Sequence, residues 1–234
     1  MISDTRLRNA KIRLVIAENN GTPHAAVLST ASAASPASPP ASLRERQKQR
    51  RRNRIYTVAI QMFKERGFHQ TTATDIAKIA HVSRGTFFNY YPYKEAVLLD
   101  YGSEIITSLR QRTEERSAKG MKPLEALEAL WADLGEITAQ ERDLISPLAY
   151  ELINPDPQRS RTAYEALPLS RIIEGLLRGI KNLRSDMSLE RMAASLSDTY
   201  FMTALRWSTY RLTRDIHDEL RKALSLTLEG AFSR

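Results

Sequence analysis

The 234-residue chain contains no cysteine, which removes disulfides and thiolate metal sites and suits a reducing, intracellular setting. Long apolar runs are missing as well. Nothing approaches the roughly 20 residues of a membrane span, and the tetrad Leu14 to Ala17 is too short for a signal-peptide core. The expectation is a soluble cytoplasmic protein with no membrane association. Histidine is sparse: the four residues at 24, 69, 81 and 217 show no metal-ligand spacing with one another or with carboxylates. No glycine-rich phosphate loop and no nucleophile-elbow serine is present. These absences point away from an enzyme and from a bound cofactor or metal.

Acidic residues are scarce in one part of the chain only. Residues 1–102 carry 16 Lys/Arg against 7 Asp/Glu, whereas the remainder carries 19 against 20. The net charge of +8 therefore belongs to the N-terminal part. Such asymmetry suits a polyanionic partner at one end, and a solvated basic tail would show it equally.

Residues 21–42 are an Ala/Ser/Pro mixture almost without charge, too poor in apolar area to offset chain entropy. The preceding AKIRLVIAEN (10–19) has a β-branched look and no evident partner strand. We expect residues 1–43 to form a disordered N-terminal extension. LRERQKQRRRNR (43–54) then brings seven basic residues and one acid, and runs into a stripe of Ile55, Val58, Ala59, Met62 and Phe63 at helical spacing. Gly67 and Phe68 supply a left-handed C′ residue and a hydrophobic C″ contact, a Schellman-type stop. In TTATDIAKIAHVS, Thr72 and Asp75 have capping-box spacing ahead of a short helix with Ile76, Ala77, Ile79 and Ala80.

The stretch VSRGTFFNYYPYKEAVL (82–98) completes the pattern. Ser83 is an N-cap candidate, and Pro92 disfavours helix at Tyr91, leaving about two turns. Phe87 and Tyr91 share one face of that helix, while Arg84, Thr86, Asn89 and Tyr90 point elsewhere. Two short helices joined by HVS predict a helix-turn-helix.

The run from Ile55 to Leu99 resembles the DNA-binding domain of the tetracycline-repressor (TetR) family. The resemblance implies an all-α homodimer: an N-terminal three-helix helix-turn-helix head, here residues 44–99, and a C-terminal helical effector-binding and dimerisation domain, residues 100–234. It places Thr72 where the family's second helix meets a phosphate. It puts Arg84, Gly85 and Thr86 at the start of the recognition helix and Lys94 at a backbone-contacting lysine. Phe88 departs from the pattern, since many members carry a tyrosine whose hydroxyl touches phosphate. Tyr90 stands in place of a common histidine and can take over a polar contact. Asn89 occupies a variable position.

Several of these residues have two physical readings. Arg84 can donate two hydrogen bonds to guanine O6 and N7, or meet a phosphate. Gly85 permits close approach to DNA, and helix packing accounts for it as well. Thr72 and Ser83 place hydroxyls at helix N-termini, where either phosphate binding or plain capping selects them. Arg50, Arg51, Arg52 and Arg54, immediately before the apolar stripe, can follow phosphates or enter a minor groove as basic arms do, or merely solubilise. Tyr56 reads as helix packing.

Beyond Lys94 the chain reads as helix upon helix: 94–118 closed by Gly120, one opened by Pro123, one from Leu144 to Ile153 interrupted by Pro147, and one over 169–183. A helix capped by Ser188 runs to about Tyr210, and one capped by Asp215 to about Phe232. The last two are expected to form the dimer surface by analogy with the family. Trp131, Tyr150, Tyr164 and Trp207 are candidates to line a pocket or to serve as core. Double-stranded DNA and a small-molecule effector are the expected partners of a ligand-responsive repressor binding a palindromic operator. The alternative is an architectural or partner-controlled DNA-binding protein without an effector; an apolar cavity with a few polar groups separates the two.

Overall fold

Lys, Arg, Gln and Glu are good helix formers, and neither proline nor glycine interrupts the chain between Leu43 and Arg66. The basic run is accordingly not an arm ahead of a helix but its opening turns. In the computed structural model, which describes residues 43–232, α1 spans Leu43–Arg66. Its first half is almost wholly exposed, and Ile55, Ala59, Met62 and Phe63 anchor the second. Of the extension expected over residues 1–43, residues 1–42 lie outside the described residues, and Leu43 is the first residue of α1.

Gly67 stops α1 at φ +87°, its N–H donating to the Phe63 carbonyl at 3.0 Å. Phe68 then lies edge-on to Phe63, centroids 5.0 Å apart. α2 (Ala73–Ile79) opens on the reciprocal capping box of Thr72 and Asp75. It closes with His81 in the left-handed region, φ +52°, where Val82 N–H bonds the Ala77 carbonyl at 2.9 Å. A non-glycine residue there turns the chain sharply into α3 (Arg84–Tyr90). Tyr91, at φ −133° ahead of Pro92, ends it.

The body comprises α4 (Ala96–Ala118), α5 (Pro123–Gln140), α6 (Arg142–Leu152), α7 (Pro157–Ala166), α8 (Leu169–Leu177), α9 (Leu189–Thr209) and α10 (Ile216–Glu229). α9 packs against α6, α8 and α10, α10 also lies on α5, and α4 joins this core to α1. The long helices follow their stripes: Leu127, Leu130 and Leu134 on α5, and Leu196, Tyr200 and Ala204 on α9, are buried.

Three body elements differ from the sequence expectation. α6 continues through Pro147; the carbonyl that loses its donor belongs to exposed Asp143, where water can replace it. α7 was not anticipated, although Asp156 caps it by accepting from Gln158 N–H at 2.9 Å and Pro157 opens it. α8 stops at Leu177 instead of reaching 183. A β-carbon on Gly179 would lie 2.5 Å from Pro123 Cγ, so this turn packs where only bare backbone fits. Among the described residues no helix is long and apolar enough to cross a membrane.

Candidate nucleic-acid interface and apolar cavity

α3 is seated by two residues one turn apart. Phe87 and Tyr91 are 0% and 1% exposed, and their burial turns Arg84, Gly85 and Asn89 outward, with Thr86, Phe88 and Tyr90 half-buried at the edges. Phe88 stands edge-on to Phe87, centroids 5.3 Å apart, and the Arg84 guanidinium lies 5.5 Å above its ring. The phenylalanine at the family's tyrosine position thus packs and supports Arg84. Around a β-carbon placed on Gly85, the Ser83 hydroxyl at 3.8 Å is the nearest neighbour. Internal packing therefore does not require this glycine.

Other predicted contacts have internal partners. Ser83 Oγ accepts from Thr86 N–H at 3.0 Å and lies 2.8 Å from Thr86 Oγ1. Thr72 Oγ1 donates to the Asp75 carboxylate at 2.5 Å and accepts from Asp75 N–H at 3.2 Å. The hydroxyl bond and a second from the Thr72 backbone N–H at 3.2 Å hold the Asp75 carboxyl below the usual carboxylate range. The Thr72 hydroxyl caps α2.

Arg52 and Lys94 differ more from expectation. Arg52 does not extend with Arg50, Arg51 and Arg54, which are exposed. It pairs with Asp100 at 2.7 Å and lies 5.3 Å from the centroid of Tyr91. Lys94 turns inward: Nζ donates to the Phe68 and Thr71 carbonyls at 2.8 and 2.9 Å and sits 4.0 Å above the Phe68 ring. Burial lowers its pKa. The ammonium ties the start of α4 to the α1–α2 connection.

Sequence reasoning missed the ties between head and body because their partners are distant in sequence. Tyr91 donates to Asp100 at 2.8 Å and Tyr56 to Glu104 at 2.6 Å; burial and these carboxylates raise both phenol pKa values, keeping the protons in place. Lys64 bonds Glu141 at 2.6 Å and the Tyr101 hydroxyl at 3.2 Å.

An apolar cavity lies within the body. Gly102, Ile105 and Ile106 of α4, Leu134 and Ile137 of α5, Ile145, Leu148 and Ala149 of α6, Leu167, and Tyr200 and Phe201 of α9 line it. The cavity volume is about 20 Å³, enough for a water or two. Its polar group is the Tyr200 hydroxyl, 3.1 Å from Thr138 Oγ1, with the phenol pKa pushed up to about 12 by burial. None of Trp131, Tyr150, Tyr164 and Trp207 is among the lining residues. The two tryptophans are core, and the two tyrosines are half exposed.

Comparison with known proteins matches this organisation. The model for the C-terminal domain of TetR/AcrR family transcriptional repressors matches residues 103–230, and that for bacterial regulatory proteins of the tetR family matches residues 55–101. FadR of Thermus thermophilus, a TetR-family repressor whose crystal structure contains lauroyl-CoA, is 54% identical, with a TM-score of 0.74 over 78% of this chain and 96% of that one. Bacillus subtilis FadR, solved with stearoyl-CoA, shares the fold at a TM-score of 0.61 and 22% identity, over 76% of this chain and 98% of its own. The Bacillus subtilis HTH-type regulator YuxN is 30% identical over 92 residues, 39% of this chain and 32% of that protein. The chain spans about a third to a half of the first curated relatives it matches. With both domain models matched in order along one chain, and the recognition helix and cavity lying one in each, the protein belongs to the TetR/AcrR family of transcriptional regulators.

Proposed function

We propose that the protein is an acyl-CoA-responsive repressor that binds a palindromic operator as a homodimer. The carrying observation is the 54% identity, across 96% of its length, to a repressor solved with lauroyl-CoA. The aliphatic wall of the cavity supports it, because a hydrocarbon tail needs such a lining. In this reading α3 enters the major groove, with Arg84 reading a base edge, Gly85 allowing approach and Asn89, Thr86 and Tyr90 alongside. Arg50, Arg51 and Arg54 follow the phosphates from the exposed half of α1. α9 and α10 of two subunits form an isologous four-helix interface; exposed Met202 and Leu226 on these helices suit it.

The cavity at its present size holds no fatty chain, so acyl-CoA must favour a state with more room. Differential affinity for that state is what releases DNA. The effector-free reading gains its support from the same small volume, and one experiment separates the two. Sites are selected from random duplex DNA, and lauroyl-CoA, free CoA and laurate are titrated against the best site. The proposal expects release by lauroyl-CoA at concentrations where free CoA has no effect. Retention of DNA across a series of acyl lengths would refute the effector, and absence of sequence preference would refute the repressor.

A further inference from the structure

We infer that Arg159 is a positioning residue, a latch that fastens the DNA-binding head to the wall of the cavity while the cavity is closed; this rests on the acyl-CoA reading. Arg159 lies in the first turn of α7. On one side, Nε and Nη2 donate to Glu151 Oε2 and Oε1 at 3.0 and 2.7 Å. That carboxylate is 1% exposed and accepts a further bond from Asn154 at 3.2 Å. The fork is therefore rigidly held by α6. On its other side the guanidinium lies 4.0 Å over the Tyr93 ring, and Nη2 is 3.4 Å from Glu95 Oε2. Tyr93 and Glu95 flank Lys94 in the short link between α3 and α4, and Lys94 is bonded to the head at Phe68 and Thr71. Movement of Arg159 relative to this link is thus felt by the recognition helix.

The two elements that hold Arg159 also close the cavity. Leu148 and Ala149 on α6 and Leu167 at the end of α7 are wall residues. Leu148 and Leu167 rest on the bare backbone of Gly102, where an ideal β-carbon would stand 3.0 and 2.5 Å from their methyls. A hydrocarbon chain gains room on this side by lifting those leucines off α4. Glu151 is one turn beyond Leu148, and Arg159 lies on the helix that Leu167 caps. Lifting this wall withdraws the guanidinium from Tyr93 and Glu95, and a shift of about 1–2 Å, common in such transitions, breaks both contacts. The latch is made in the closed state and lost in the filled one, so it favours the state that binds DNA.

Replacing Arg159 itself would leave Glu151 buried and unpaired, so the test cuts the other side, with Tyr93→Leu and Glu95→Gln combined. Operator affinity and lauroyl-CoA affinity are measured separately on the full chain. A partly buried ion pair and one cation–π contact together set the size: operator binding weakens roughly fivefold, and lauroyl-CoA binding tightens by a similar factor, because both report one equilibrium. General damage to the fold would weaken both. Unchanged or weaker lauroyl-CoA binding in the variant overturns the latch. Should wild-type protein fail to bind lauroyl-CoA, the acyl-CoA reading fails by itself. Amide exchange then decides the latch: faster exchange over residues 91–99 in the variant upholds it, and unchanged exchange overturns it. If the double variant does not fold, Glu95→Gln alone gives the same signs at about twofold.

Discussion

Replacing Lys94 by alanine separates two roles that one lysine can play. Its ammonium donates to two carbonyls at 2.8 and 2.9 Å and covers the Phe68 ring at 4.0 Å. A charged hydrogen bond contributes about 1.5–3 kcal/mol when fully sheltered; partial exposure here reduces each to about 1 kcal/mol. The cation–π contact adds about 0.5–1 kcal/mol. Lys94→Ala should therefore cost about 2–3 kcal/mol, a fall of roughly 4–12 °C in Tm for a domain of this size. Thermal unfolding followed by circular dichroism measures it. In parallel, operator affinity is measured across a salt series. A lysine occupied by carbonyls leaves the slope of log K against log salt almost unchanged, whereas a phosphate contact lowers it by about 0.9. An unaltered Tm together with a slope reduced by about 0.9 would refute the structural role.

Arg84→Ala should relax base preference at one operator position by about 1–3 kcal/mol, seen by comparing affinities for single-base variants of the site; a uniform loss at every site would make Arg84 a phosphate contact. Arg50→Ala should instead weaken all duplexes alike and reduce the salt slope by about 0.9. Phe87 is wholly buried, and Phe87→Ala should destabilise the head by about 3–5 kcal/mol in urea unfolding, a loss under 1 kcal/mol showing that α3 is held by other residues. Because the folded-state pKa of Asp75 is depressed, its contribution is present above the unfolded value and lost as pH falls through the folded one. The stability gap between wild type and Asp75→Asn should thus close on acidification through the carboxylate range and stay constant near neutrality.

What the sequence determined by itself was local. The caps Thr72, Ser83, Asp215 and Ser188, the left-handed stop at Gly67 and the break before Pro92 all act within a few residues of themselves, and each stands in the structure. Burial of Phe87 and Tyr91 followed from their spacing of four on a two-turn helix. The start of α1 was missed by a dozen residues because exposed basic residues carry helix propensity without an apolar stripe to announce it. α7 was missed for the same reason: its fully buried residue is Ala163 alone.

Tertiary structure decided which charges are free to meet DNA and which hold the molecule together. Arg50, Arg51, Arg52 and Arg54 look alike in sequence, yet Arg52 alone of the four faces Asp100, 48 residues away. Lys94 meets carbonyls 26 and 23 residues earlier, and Arg159 joins Glu151 to Glu95. The cavity likewise joins single residues from several helices, so no run of sequence displays it. Capping hydrogen bonds and helical periodicity act over one or two turns, whereas long-range hydrogen bonds, ion pairs and cavities depend on which helix faces meet, and only the packing of the whole chain fixes that.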